Sequence, residues 1–275
     1  MLVSHKMKEA QTSGQDLVRN RNVYDTFWSS RWRRSLTYAN TTKLRRFRRE
    51  LPRRTQGLAS PLRVFEQGFG MGMMLMSFPR STHVTGLELS PVAVQSATDA
   101  LSAKGFTKID LRTFEAGAGY PADWEGQADF AISSHVLEHL EDPAAGLGPL
   151  VQMLRPGGRA CIVVPINEKP DEDLNHFHRF TPETIQQAVR QNGLVVTEAV
   201  ECDRLWPLMA PVARRLQDGG GVALKIYSKC LNGVLACLPA WALSLADSLL
   251  GGFGVRNCQI FLWCEKPASG SAAHR

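Results

Sequence analysis

Short apolar stretches alternate with amphipathic stretches along most of the chain from Leu62 onward. The apolar stretches have the length of strands, and the segments between them have the period of helices. Strands that are separated by helices usually pair in parallel, so the pattern predicts a doubly wound α/β sheet. The predicted strands span residues 62–67, 83–88, 109–114, 129–133, 159–164, 194–201 and 258–265.

Helix ends and turns in this region have clear sequence signals. A hydroxyl residue can cap the first turn of a helix, proline fits the first helical position, and glycine is favoured just after the last turn. One helix is therefore expected to start at Ser90-Pro91 and to end at Gly105, and another to start at Thr181-Pro182 and to end at Gly193. Pro156-Gly157-Gly158 is expected to form a turn before the fifth strand.

Two segments do not fit the alternation. Residues 1–60 are polar and helical in character, and residues 204–256 are strongly apolar. The longest uncharged run of the second segment, 230–246, has 17 residues and is interrupted by Asn232 and Pro239, whereas a spanning helix needs about 20. We therefore predict a helical N-terminal cap (1–60), a core (61–203), a helical insertion or lid (204–256), a final core strand (257–268) and a frayed tail (269–275).

The composition is that of an ordinary globular chain. Of the 275 residues, 44% are hydrophobic and 21% are charged, which excludes a disordered chain, a coiled coil and a multi-span membrane protein. The N-terminal residues contain no apolar secretion signal, and the six cysteines form no CxxC pair. We expect a reduced, cytoplasmic protein without a disulfide framework or a zinc knot.

The positive charge is concentrated at the N-terminus. Residues 1–56 contain 14 Lys/Arg and 4 Asp/Glu, a local charge of +10, while the net charge of the whole chain is +6. Such an arm could bind phosphates, nucleic acid or an anionic membrane, or it could form a helical face that contacts only solvent.

A glycine-rich stretch, Glu66-Gln67-Gly68-Phe69-Gly70-Met71-Gly72, directly follows the first predicted strand. Glycines there allow a sharp turn and a close approach of the backbone to a ligand. The nicotinamide-binding pattern GxGxxG would need glycine at position 73, where the chain has methionine. Glu88, 20 residues after Gly68, ends the second predicted strand and is placed to accept hydrogen bonds from ribose hydroxyls.

Four motifs occur in order: GFGMG after Glu66, then GLELSPVAVQSA, ISSHVLEHLEDP and LRPGGRACIVVP. Together they resemble the class I S-adenosylmethionine-dependent methyltransferases, in particular the branch that acts on quinones, sugars and natural products. The resemblance covers about residues 60–200 and the final strand. It implies a seven-stranded sheet of order 3-2-1-4-5-7-6 with an antiparallel last strand, and it implies S-adenosylmethionine as cofactor with S-adenosylhomocysteine as product.

The resemblance also implies roles for individual residues. The three glycines would lie under the methionine part of the cofactor, Glu66 would orient that part, and Glu88 would hold the ribose. Leu89 would pack on the adenine and Glu115 would receive its amino group. The remaining cofactor-binding residues would be Ser133 and Ser134 beside the sulfonium and Tyr24 and Trp28 from a covering aromatic helix.

An oxygen acceptor must lose a proton during methyl transfer, and histidine suits that step near neutral pH. The candidates are His135, after the fourth strand, and His176 and His178 in the loop after the fifth. His139, in the LEH turn, is expected to be structural. His176 and His178 could suggest a metal, and Asp171, Glu172 and Asp173 lie upstream, but the spacing supplies no matching third ligand and we predict no metal.

We therefore predict an enzyme that transfers the methyl group to a hydroxyl of a small-molecule acceptor, in secondary-metabolite or glycan biosynthesis. The motifs of nucleic-acid and protein-arginine methyltransferases are not matched, so we do not expect a nucleic-acid partner. Three alternatives stay open: an RNA or tRNA methyltransferase that uses the basic arm, a peripheral-membrane quinone or lipid methyltransferase that uses residues 222–255, and a non-enzymatic interaction protein. The chain could be a monomer or a homodimer.

Overall fold

A computed structural model describes residues 38–114, 119–168, 176–205 and 237–268, together with a few positions between 222 and 234. The helices of this part are α1 (Tyr38–Thr55), α2 (Pro91–Ala103), α3 (Ala144–Met153), α4 (Pro182–Gln191) and α5 (Ala240–Gly252). The strands are β1 (Arg63–Gln67), β2 (His83–Glu88), β3 (Ile109–Thr113), β4 (Ala128–Ser134), β5 (Leu154–Pro165), β6 (Val195–Cys202) and β7 (Gln259–Glu265).

The seven strands form one sheet of order β3-β2-β1-β4-β5-β7-β6. The pairs from β3 to β5 are parallel, whereas β7 runs antiparallel to both β5 and β6. The strand order and the antiparallel last strand confirm the predicted fold class. The order reverses between β1 and β4, so ligands are expected at the carboxyl ends of these two strands.

The predicted helix boundaries are also confirmed. Ser90 caps α2 by accepting a hydrogen bond from the backbone N–H of Ala93 at 3.2 Å. Thr181 caps α4 by accepting a hydrogen bond from the backbone N–H of Thr184, and the side chain of Thr184 completes a capping box. Gly105 and Gly193, just beyond the two helices, have positive φ angles of 90° and 87°.

One local prediction is wrong: the chain makes no separate turn at Pro156-Gly157-Gly158. These residues lie inside β5, which begins at Leu154. The pairing with β4 shifts there, from Ala128 opposite Leu154 to Phe130 opposite Arg159. The additional residues form a bulge, which the N–H of Gly157 fixes by donating to the carbonyl of Lys266 at 2.9 Å.

Both faces of the sheet are covered by helices. Side chains alternate between the two faces along each strand. Phe65 and Ile162 therefore pack on one face with residues of α3 and α4. Val64 and Val163 pack on the other face with residues of α1 and α2. Helix α1 is part of this second layer. Its Phe47 is fully buried and stacks on Trp263 of β7 with ring centroids 6.0 Å apart.

Helix α5 lies within the predicted insertion and exposes several large apolar side chains. Trp241, Leu245 and Leu249 are each more than half exposed, and Phe253, just after the helix, is 84% exposed. Asp247 faces the other way and accepts hydrogen bonds from the backbone N–H groups of Asp203 and Arg204. In the part of the chain that the structure describes, none of the helices has the length and apolarity needed to cross a bilayer.

Candidate active site

The glycine-rich stretch forms a turn at the carboxyl end of β1. Gly68, Gly70 and Gly72 have φ angles of 64°, 50° and 67°, a region that residues with a Cβ rarely adopt. A Cβ on Gly68 would lie 2.4 Å from Cγ2 of Val136, so the turn also packs tightly against the segment that follows β4. The backbone can therefore approach a ligand at the switch point of the sheet, as the sequence predicts.

Glu88 connects the end of β2 to this turn. Its Oε2 accepts a hydrogen bond from the N–H of Gly70 at 2.8 Å, and its Oε1 accepts one from the N–H of Leu89 at 2.8 Å. Each carboxylate oxygen can accept more than one hydrogen bond, so ribose hydroxyls could share these oxygens. Leu89 is half-buried next to this carboxylate.

A half-buried lysine of α1 lies at the same edge. Nζ of Lys43 donates to the hydroxyl of Ser134, at the end of β4, at 3.1 Å. Burial lowers the pKa of Lys43, while the charges of Glu66 and Glu138 act in the opposite direction. Lys43 therefore belongs to the candidate site, although no local pattern in the sequence distinguishes it from the other basic residues of α1.

Glu66 is a buried acid of this group with a raised pKa. Burial raises its pKa to about 8, against the opposing effects of Lys43 and of a backbone hydrogen bond from Leu75. Among the described residues, Oε2 of Glu66 and the hydroxyl of Ser133 are buried without a hydrogen-bond partner. Because buried polar groups normally have hydrogen-bond partners, these two atoms are candidates for contact with a polar ligand.

These observations fit the methionine and ribose parts of the predicted cofactor. The three glycines of the turn supply backbone without side chains, and Glu88 supplies hydrogen-bond acceptors. Glu66 and Ser133 supply polar atoms that have no partner among the described residues. Three predicted cofactor contacts cannot be compared with the structure, because Tyr24, Trp28 and Glu115 lie outside the described residues.

His135 follows β4 and forms a dyad with a buried acid. Its Nδ1 lies 3.1 Å from Oε1 of Glu138, and its side chain is 37% exposed whereas that of Glu138 is fully buried. The backbone of His135 has a φ of 56°, a left-handed conformation that is uncommon for histidine, and its N–H donates to the carbonyl of Val163.

Glu138 is held in its charged form. Burial favours the neutral acid, but the hydrogen bond to His135 and the nearby imidazoles of His135 and His139 outweigh that effect and lower its pKa. The carboxylate then holds the proton of His135 on Nδ1 and leaves Nε2 as the acceptor. Glu138 is not among the site residues predicted from the sequence, although its position three residues after His135 is a signal that could have indicated it.

The two histidines after β5 lie in different surroundings. Nδ1 of His176 lies 2.7 Å from Oε2 of Glu168, and its ring contacts that of His139. Nε2 of His178 instead bonds to the backbone carbonyl of Glu141. The two side chains therefore do not form a chelating pair, and only His176 lies among the histidines and acids near β4.

Comparisons with known proteins agree with this geometry. A family model described as a methyltransferase domain matches residues 37–199. A ubiquinone biosynthesis O-methyltransferase of Aromatoleum aromaticum is 35% identical over 107 residues, which cover 38% of this chain and 44% of that protein. A ubiquinone biosynthesis O-methyltransferase of Bradyrhizobium sp. is 27% identical over 183 residues, which cover 59% of this chain and 69% of that protein. The chain thus spans less than half the length of the first of these relatives.

Solved structures share the fold at low identity. The [4+2]-cyclase SpnF superposes with a TM-score of 0.57 at 17% identity, over 94% of this chain and 97% of that one. A putative sarcosine dimethylglycine methyltransferase from Galdieria sulphuraria gives 0.57 at 13% identity, over 82% and 85%. Since the family model spans more than half of the chain and begins before α1, the chain belongs to the methyltransferase-domain family.

Proposed function

We propose that this chain transfers a methyl group from S-adenosylmethionine to a hydroxyl of a small-molecule acceptor. The observation that carries the proposal is the His135–Glu138 dyad, which places an imidazole at the carboxyl edge of the sheet, close in the chain to the end of β4 and near the glycine turn. The similarity to O-methyltransferases of ubiquinone biosynthesis supports a hydroxyl acceptor.

The chain's own residues would hold the cofactor at its two ends. Glu88 would accept hydrogen bonds from the ribose, and the glycine turn would lie against the methionine part. Glu66 would supply a carboxyl group and Lys43 an amine near that part, and these two groups can form hydrogen bonds with the amino and carboxylate groups of an amino acid. When bound, S-adenosylmethionine supplies a methyl group already activated by its sulfonium, so the protein must position the acceptor and remove its proton.

His135 removes the proton of the acceptor's hydroxyl in the proposed reaction. Glu138 keeps the proton of the imidazole on Nδ1, so Nε2 can take the acceptor's hydroxyl proton while the new C–O bond forms and the C–S bond breaks. Sulfur keeps the electron pair of the broken bond, so the products are the methyl ether and S-adenosylhomocysteine. The positive charge that develops on His135 is stabilised by the buried carboxylate.

The structure gives no support to the RNA alternative within the part of the basic arm that it describes. Arg48 donates to Ser77, while Arg53 and Arg54 pair with Glu198, so these guanidinium groups already have intramolecular partners. The small-molecule acceptor and the cytoplasmic location remain our predictions.

The exposed apolar side chains of α5 favour a second candidate, in which the acceptor is a quinone or lipid taken from a membrane surface. Tryptophan and phenylalanine side chains on such a surface can bury part of their area in the headgroup region. Co-sedimentation with phosphatidylglycerol vesicles tests it: wild-type protein should pellet, and the variant Trp241→Ser/Phe253→Ser should stay in the supernatant. Equal sedimentation of both proteins, or none of either, would exclude this candidate.

Two measurements test the main proposal. Calorimetric titration should give micromolar binding of both S-adenosylmethionine and S-adenosylhomocysteine. Wild-type protein should then methylate at least one member of a panel of phenols, catechols and hydroxylated quinones. His135→Ala should lower kcat by about 10²-fold or more with unchanged cofactor affinity, because general-base catalysis contributes that much. His178→Ala, whose side chain bonds to a backbone carbonyl, is the matched control. Absence of cofactor binding would overturn the proposal.

A further inference from the structure

A cavity with several arginines lies toward the opposite end of the sheet from the candidate active site. Arg159 of β5 pairs with Phe130, four residues before β4 ends at Ser134. Four residues of strand span roughly 13 Å, so the cavity and the candidate active site are separate. The charged side chains of the lining come from α1, β5 and β7: Arg53, Arg54, Arg159 and Glu265.

Arg159 is held in place through one nitrogen and keeps the other two for a ligand. Its Nη1 donates to the carbonyl of Arg54 at 2.7 Å and to the carbonyl of Gln56 at 3.0 Å, at the end of α1. In the part of the chain that the structure describes, its Nε and Nη2 form no hydrogen bond. These two N–H groups form the side of a guanidinium that binds a carboxylate or phosphate through two parallel hydrogen bonds.

Arg54 supplies a second guanidinium of fixed orientation. Its side chain is 11% exposed and lies over the indole of Trp263, with the guanidinium carbon 4.5 Å from the ring centroid. Its Nη2 pairs with Glu198, whereas its Nε is buried and has no hydrogen-bond partner among the described residues. A buried donor without an acceptor is costly, and an oxygen of a bound anion would satisfy it.

The charge around the cavity favours an anion. Three guanidinium groups and one carboxylate, that of Glu265, line it. Two further acids, Glu50 and Glu198, pair with the arginines of α1 from outside the lining. When these acids and Arg49, another partner of Glu50, are included, four arginines face three acids. A concave place with an excess of positive charge attracts a negatively charged ligand.

Apolar side chains complete the lining and limit its size. Phe130, Ala160 and Cys264 contribute to it, and each of them is at most 2% exposed. The cavity volume is about 240 Å³. Pockets for drug-sized ligands have volumes of about 300–1,000 Å³, so this cavity suits a smaller molecule. An anionic group attached to a small apolar part matches both the arginines and the apolar side chains.

We propose that this cavity binds a small organic oxyanion, a molecule with a carboxylate or phosphate group and a small apolar part. The oxyanion accepts two hydrogen bonds from Nε and Nη2 of Arg159 and one from Nε of Arg54. The apolar part lies against the side chains around Phe130. The site is independent of the proposed methyl transfer, because none of these residues belongs to the candidate active site.

Titration calorimetry of the full chain with benzoate, phenyl phosphate and inorganic phosphate tests the site. Wild-type protein should bind benzoate or phenyl phosphate saturably, with one molecule per chain, and the tighter of the two identifies the anionic group. Inorganic phosphate should bind at least 10-fold more weakly than the tighter probe, because it has no apolar part. Arg159→Lys should weaken binding of that probe at least 10-fold, because lysine keeps the charge but cannot donate two parallel hydrogen bonds.

Arg48→Lys is the matched control, because Arg48 lies in α1 but donates to Ser77 and does not line the cavity. It should bind the probes like the wild type, and thermal unfolding should show that both variants are folded. Absence of saturable binding of all three probes, or equal weakening by Arg159→Lys and Arg48→Lys, would overturn the site. Equally tight binding of inorganic phosphate and phenyl phosphate would overturn the role of the apolar side chains. The titrations contain no S-adenosylmethionine, so their outcome is distinguishable from a failure of the proposed function.

Discussion

Nζ of Lys43 donates a hydrogen bond to Oγ of Ser134 at 3.1 Å, and so connects helix α1 to the end of the central strand β4. The ammonium group of Lys43 interacts electrostatically with Glu66 and Glu138. Helix α1 is therefore part of the candidate site as well as part of the core.

Replacing Lys43 by methionine should lower the affinity for S-adenosylmethionine about 10-fold or more. In the proposed complex Lys43 lies near the amino-acid part of the cofactor, and hydrogen bonds to charged groups contribute roughly 1.5–3 kcal/mol. Calorimetry should show the same loss for S-adenosylhomocysteine but none for 5′-methylthioadenosine, which lacks the amino-acid part. Arg48→Met, on an exposed position of the same helix, is the control. Equal losses for all three ligands would contradict this role.

Glu88→Gln should weaken cofactor binding by about 10- to 100-fold, because a neutral amide accepts weaker hydrogen bonds than a carboxylate. The substitution also weakens the contact with the N–H of Gly70, which helps to hold the turn. Titration calorimetry measures the loss, with Glu125→Gln, an exposed acid bonded to Gln152, as control. Unchanged affinity would exclude Glu88 from the ribose site.

Gly68→Ala should destabilise the protein for two separable reasons. The new Cβ would lie 2.4 Å from Cγ2 of Val136, and alanine at a φ of 64° costs about 1–2 kcal/mol. In Gly68→Ala/Val136→Ala the first penalty is relieved and the second remains. Thermal unfolding of the two single variants and the double variant should therefore show partial recovery, and strictly additive losses would rule out the clash.

Glu66 should make stability depend on pH in a particular direction. Burial raises its pKa from an ordinary value of 4.5 to about 8, with Glu88 acting in the same sense and Lys43 against it. The folded state thus holds the proton more tightly, so the contribution to stability is fully present below pH 4.5 and is lost as the pH rises through 8.

Relative to Glu66→Gln, the free energy of unfolding of the wild type should therefore fall between pH 4.5 and 8, by at most about 1.4 kcal/mol per pH unit. Urea unfolding of both proteins across this range measures the difference. Parallel stability profiles for the two proteins would contradict a buried acid with a raised pKa.

Local patterns were enough to predict most of the fold. The strands, the caps at Ser90 and Thr181 and the glycine turn all depend on residues close together in the chain. The extra length of β5 depends instead on the carbonyl of Lys266, which receives a hydrogen bond from Gly157 and is far away in the sequence. A Pro-Gly-Gly tripeptide alone does not distinguish a turn from a bulge.

The site was predicted less completely, because its charged members become neighbours only in the folded protein. Lys43 is one of seven basic residues between positions 38 and 55, and nothing local indicates which of them contacts the end of β4. His176 and His178 look equivalent in the sequence, yet only His176 meets Glu168 and His139.

The register between β6 and β7 has a practical consequence. Cys202, the last residue of β6, lies directly opposite Gln259, the first residue of β7. The 56 residues between them therefore leave and rejoin the sheet at the same point, and the entropic cost of closing such a loop rises only slowly with its length. A segment of different sequence and length could therefore replace these residues. The pairing of β6 with β7 and the opposite half of the sheet would stay intact.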